Sequence, residues 1–143
     1  MSDTGETAYC LEVAPEDRHG QWASPIFLPS DWFFETGENL LNIPGTEEAI
    51  GTGRKNTALI LASDPNAPAA LACNNYSNNG KNDWFLPSKD ELNELFKQGE
   101  WNMCWSSSQQ DGWVAWGQSS YRLPGQDCYL KDYYGNVRPI RAF

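Results

Sequence analysis

The chain has one imidazole, His19, in the polar run Glu16-Asp17-Arg18-His19-Gly20-Gln21. Any Ser-His-Asp or Cys-His catalytic group would have to be built on it, and the run reads as a solvated turn rather than the seat of a general base. Four cysteines, Cys10, Cys73, Cys104 and Cys128, are widely scattered, with no Cys-x-x-Cys pair and no nearby histidine, so a zinc site is not expected. Their spacing fits reduced, unpaired thiols, with a single bridge as the alternative. The run GTGRKNT, Gly51 to Thr57, resembles a phosphate-binding loop only superficially. It lacks the earlier Gly and the Gly-Lys-Ser/Thr ending, and it reads as a turn leading into a helix. These residues predict no catalytic group, metal or cofactor, and an enzyme is not expected, because no buried titratable cluster suggests itself.

The aromatic residues are more informative. Trp101, Trp105, Trp113 and Trp116 fall within sixteen residues, and Tyr121, Tyr129, Tyr133 and Tyr134 follow. Large apolar rings favour the interior, so Trp84, Trp105 and Trp116 are expected in the core. The tyrosines stand in Gly- and Asp-rich stretches without periodicity, which read as loops. Tyrosine with Ser, Gly, Asn and Asp on a rigid frame is the composition of a recognition surface, because it supplies contact area at low entropy cost.

The elements that must carry these residues can be read in outline. Thr7 to Ala14 alternates and stops at Pro15, as an opening strand would. From Glu16 to Gly53, turn residues surround short apolar pieces such as Ile26-Phe27-Leu28 and Trp32-Phe33-Phe34, implying short strands and long ordered loops. Two helical pieces are expected in NTALILA and APAALACNNY, separated by the loop SDPNAP. In LPSKDELNELFKQG, Ser88 and Glu91 have capping-box spacing, Leu92, Leu95 and Phe96 share a face, and Gly99 supplies the stop. Strands are expected at Met103–Ser108, Trp113–Trp116 and Val137–Phe143, the last pairing with the opening strand. Strands at both ends with helices between them make an α+β fold.

The 143 residues, 40% hydrophobic, suit one domain with one core. The first 22 residues show no basic start followed by an apolar run, and no stretch of about 18 apolar residues occurs, so neither a signal peptide nor a membrane-inserted helix is expected. The net charge is −9, with −10 in residues 1–100 and +1 in residues 101–143. A nucleic-acid partner, which needs clustered Lys and Arg, is not expected.

Taken together and in order, GTGRKNTALILA, AALACNNY, NDWFLPSKDELNELF, CWSSSQ, AW and VRPIRAF resemble the Legionella collagen-like adhesin C-terminal domain family, DUF1566, from about Tyr9 to Phe143. Within that family, VRPIRAF after WSSSQ and AW resembles the variable proteins of diversity-generating retroelements. The resemblance implies a single C-type lectin-like domain over residues 1–143, with short helices, small antiparallel sheets and paired terminal strands. It also implies a ligand-binding receptor or adhesion protein with a variable region at about 101–136, on a phage virion or cell surface. The implied partner is a protein or glycan. In the group, a reverse transcriptase misincorporates at template adenines, and the randomised codons cannot encode Trp, Gln, Lys, Glu or Met.

With Gln126 and Lys131 set aside as fixed, the blocks SSYRLPG, DCYL and DYYGN hold sixteen residues and none of those five types, although residues 1–118 contain 28 of them. Sixteen draws at that frequency would miss all five types about one time in a hundred. The resemblance therefore implies variable ligand-binding positions at Ser119, Ser120, Tyr121, Arg122, Leu123, Pro124, Asp127, Cys128, Tyr129, Leu130, Asp132, Tyr133, Tyr134, Gly135 and Asn136. Asp111, Gly112, Val114 and Gly117 join them, between the fixed Gln110, Trp113, Trp116 and Gln118. Calcium-binding lectins of this fold use Glu-Pro-Asn or Gln-Pro-Asp and Trp-Asn-Asp. Here WSSSQ stands in place of the last and the first is absent, so no calcium site is implied. The alternative function is an invariant adhesin domain for sulfated polysaccharide, whose basic patch would have to come from Arg122, Lys131, Arg138 and Arg141.

Overall fold

The computed structural model describes residues 10–24, 42–121 and 124–142. Its helices begin where local chemistry supplies caps. Helix α3, Lys89–Phe96, opens on Ser88, whose side chain accepts the Glu91 N–H while the Glu91 carboxylate accepts the Ser88 N–H at 2.8 Å. The same carboxylate, fully buried, also accepts the N–H groups of Gly51 and Gly53, both at 3.1 Å. One acidic side chain thus ties the start of α3 to the start of α1, Gly53–Ser63. A Cβ on Gly53 would stand 2.2 Å from that carboxylate, which explains the glycine in GTGRKNT and makes the run a turn into a helix. Helix α2, Pro68–Asn74, starts on a proline, whose missing N–H costs nothing in a first turn.

Leu92 and Leu95 are buried, and Phe96 meets Trp101 edge-on with centroids 5.3 Å apart. The stop differs from expectation. Helix α3 ends at Phe96, where the N–H groups of Lys97 and Gln98 turn back to Glu94 and Leu95, and Gly99 does not adopt a left-handed backbone. Instead, Gly99 makes room for the Trp101 ring, 2.8 Å from where its Cβ would stand.

The strands are β1 Leu11–Val13, β2 Arg18–Gly20, β3 Cys104–Gln109, β4 Val114–Ser119, β5 Gly125–Leu130, β6 Gly135–Val137 and β7 Ile140–Ala142. Strands β1 and β7 form an antiparallel pair with Leu11 opposite Ala142, so the opening and closing strands meet. The other five form a sheet in the order β2-β6-β3-β4-β5, antiparallel except between β3 and β6. The fold is α+β. The C-terminal run VRPIRAF is not one strand: it breaks at Arg138-Pro139, so Val137 ends a strand of the large sheet and Ile140 begins one of the small sheet. There Ile140 also exchanges backbone hydrogen bonds with Phe85 at 2.8 and 3.0 Å. Proline has no N–H for a ladder, which suits this break. Thr7 to Tyr9 and the pieces Ile26-Phe27-Leu28 and Trp32-Phe33-Phe34 lie outside the described residues.

Trp22, Ile43, Ile60, Leu86, Trp105 and Val137 centre the core. The two indole N–H groups there are satisfied, Trp22 by the Ser106 carbonyl at 2.8 Å and Trp105 by the Gly20 carbonyl at 3.1 Å. Ser106, Ser107 and Ser108 are buried where the β3–β4 register shifts, and their hydroxyls donate to the carbonyls of Trp116, Pro87 and Glu47. The first bond joins β3 to β4, and the other two fasten the sheet to the segments before α3 and α1. Cys73 and Cys104 are buried free thiols, and burial pushes the Cys104 thiol up to about 12. Among the described residues, no helix is long and apolar enough to cross a membrane.

Candidate ligand-binding face

Within the region from Ser119 to Asn136 expected to be loop, Gly125–Leu130 form strand β5, and Gly135 and Asn136 open β6. Strand β5 pairs with β4 over six residues, from Val114 opposite Leu130 to Ser119 opposite Gly125, and forms one edge of the large sheet. Its sequence hides this because both faces of the strand are partly exposed, so no apolar alternation appears.

On one face, Asp127 and Tyr129 stand opposite the two smallest residues of β4, Gly117 and Ala115. The Tyr129 ring comes within 3.1 Å of where a Gly117 Cβ would stand and meets Trp105 edge-on at 6.2 Å, so its inner side rests on the core. Burial, helped by the Asp127 carboxylate, raises the Tyr129 phenol pKa. Outside it lies Tyr133, with centroids 5.4 Å apart. Tyr133 and Tyr134 are 49% and 69% exposed. Tyr134 runs parallel to the His19 ring at 6.3 Å, and His19, placed in β2 rather than a turn, pairs with Asn136 of β6.

The turn presenting these rings is fixed from beneath. Lys131 is buried. Its backbone N–H donates to the Trp113 carbonyl, its carbonyl accepts the Trp22 N–H, and its ammonium donates to Gln109 at 2.8 Å while lying 4.4 Å from the Trp22 ring centroid. Burial lowers the lysine pKa to about 7. Gln126, half-buried near the start of β5, is held by one side-chain bond, donating to the Lys89 carbonyl at 2.7 Å.

The other face carries Val114 and Trp116 of β4 opposite Leu130 and Cys128 of β5. Trp116 is not core as expected. It is half-buried at the surface, with the Lys89 ammonium 3.8 Å from its ring centroid and Lys89 ion-paired to Glu48. Cys128 is half-buried, its thiol pushed up to about 11 by burial and then by Asp127. Leu130 is exposed. Asp111 accepts the N–H groups of Trp113 and Val114, closing the β3–β4 turn beside the half-buried Gly112. At the far end, Tyr121 is exposed and donates its hydroxyl to Glu100 at 3.2 Å, next to the half-buried Ser120 and the exposed Pro124.

Among the described residues, three of the implied variable positions are buried. Gly117 and Gly135 are buried, and a Cβ on either would meet Met103 at 2.7 Å, with Cys104 O or Trp105 Nε1 next at 3.0 and 2.9 Å. Ser119 is buried, its hydroxyl bonded to both the N–H and the carbonyl of Tyr121. These three belong to the frame. Arg122 and Leu123 lie outside the described residues. His19, Lys89 and Glu100 flank the face although the sequence does not mark them for it, since no local spacing links them to residues so distant along the chain.

Among the described residues, no group of three His, Cys, Asp or Glu is placed to hold a metal ion. A separate cavity of about 430 Å³, lined by Leu11, Val13, Ile50, Leu95 and Ile140 with Glu91, Glu94 and Gln98, contains none of the candidate positions. No protein-family model matches the chain, and no curated protein matches it.

Proposed function

We propose that the protein is a ligand-binding receptor or adhesion protein, a C-type lectin-like frame whose C-terminal face is diversified by a retroelement. One observation carries this reading. Gln126 and Lys131, the two positions within the patternless stretch that the codon pattern sets aside as fixed, are anchored in the frame, while Asp127, Leu130, Asp132, Tyr133 and Tyr134 around them are exposed. Side chains facing solvent change at little folding cost, and buried ones do not.

Two experiments test the proposal. Randomising codons 127, 132, 133 and 134 together should leave most variants with unfolding midpoints near that of the parent; general failure to fold would sink the assignment. The DNA beside the coding sequence should contain a reverse transcriptase gene and a near-identical repeat with adenines at these codons; its absence would remove the retroelement. The polysaccharide reading draws no support from the cations it would use. Arg138 is paired with Asp17, Arg141 is bound by Asp83 and Glu12, Lys131 is buried, and Arg122 lies outside the described residues.

A further inference from the structure

Resting on the binding reading above, we propose that the partner this face takes is a basic protein segment, whose Arg or Lys side chains lie over Tyr129, Tyr133 and Tyr134 beside Asp127 and Asp132.

Charge and ring chemistry together favour such a partner. Asp127 turns one carboxylate oxygen back onto the Cys128 N–H at 2.8 Å, which satisfies an edge donor of β5 and leaves the other oxygen open. Asp132 contributes only its backbone carbonyl, to Gln21, and leaves its carboxylate outward. Among the described residues, neither carboxylate has a cationic partner. The nearby cations are otherwise engaged: Lys131 is buried beneath the face, Lys89 is held between Trp116 and Glu48, and Arg18 is paired with Glu16 and lies over Tyr76.

Exposed phenol rings present a negative π-face, and guanidinium groups pair with such rings and with carboxylates through the same planar fork. An anionic partner, whether a sulfated glycan, a nucleic acid or an acidic lipid surface, would meet two uncompensated carboxylates and a chain of net charge −9. A basic segment meets the opposite field, and its approach is accelerated by it.

The test uses the whole chain and a display library of random peptides, with a glycan array alongside. Binders should be enriched in Arg and Lys, weaken as salt rises, and bind about tenfold less tightly to the D127N/D132N double variant. The side-chain amide that D127N introduces keeps an oxygen to accept the Cys128 N–H, so the unfolding midpoint of the double variant should not move. Binders that are lost when Tyr133 and Tyr134 are both replaced by serine, yet carry no basic excess and ignore salt and the D127N/D132N changes, would overturn the basic partner and leave the binding face standing. Capture of a glycan by the same tyrosines would do the same. Binders indifferent to those tyrosines, or none at all, would overturn both.

Discussion

At Gly117 the absence of a side chain lets the Tyr129 ring cross β4 and reach Trp105, with the methyl end of Met103 closing the other side. Gly117→Ala should destabilise the protein by about 1–3 kcal/mol, because the Cys104 carbonyl at 3.0 Å is backbone and cannot swing away. Urea denaturation measures the loss, and a midpoint unchanged from the parent would show that the strand relaxes around the methyl group. Codon chemistry does not separate Gly117, Gly135 and Ser119 from their exposed neighbours, since Gly and Ser are outcomes of a randomised codon as readily as of a packing constraint. Residue type was legible in the sequence, and burial was not. Tyr129 shows the same limit from the other side: its surroundings in the sequence suggest a free surface ring, yet half of its role is to rest on the core.

Among the elements, α3 was the most legible because its start is written in four consecutive residues. Ser88 and Glu91 lie within one turn, so local spacing alone predicts their bonds. The further reach of Glu91 to Gly51 and Gly53 was invisible, because nothing in a local pattern joins residues 40 and 38 positions apart. The consequence is measurable. Ser88→Ala should cost about 1 kcal/mol, as a lost helix cap does. Glu91→Ala should cost about 3 kcal/mol or more, because three backbone N–H groups lose their acceptor together. The Ser88 hydroxyl also donates to the Ala49 carbonyl at 2.9 Å, so similar costs for the two variants would show only that the bonds of Glu91 to Gly51 and Gly53 add nothing beyond what Ser88 supplies. Strand β5 looks like loop in the sequence for a different reason: its partner, β4, supplies the backbone bonds that define it, and those bonds leave no signature in a strand wet on both sides. The terminal run looks like one strand, although its own Pro139 marks the break.

Across the whole molecule, Lys131 should make stability depend on pH. Its ammonium titrates near 7 in the folded protein, against about 10.4 in an unfolded chain. Below pH 7 both states hold the proton, and the cost of burying the charge is borne in full. Above it the folded protein sheds a proton that the unfolded chain keeps, so stability should rise with pH, by up to about 1.4 kcal/mol per unit. Urea midpoints should therefore increase from pH 6 to pH 8.5, and Lys131→Met should flatten the rise; an equal rise in the variant would assign the effect to another group. The pairing of β1 with β7 has a mechanical consequence. Leu11 and Ala142 are cross-strand partners, so tension applied to both ends of the domain pulls the first rung of that ladder apart and then each of the others in turn. A pair loaded in this way opens one rung at a time and therefore at low force. Two ends leashed apart would thus unravel the base of the fold before its five-stranded sheet is strained.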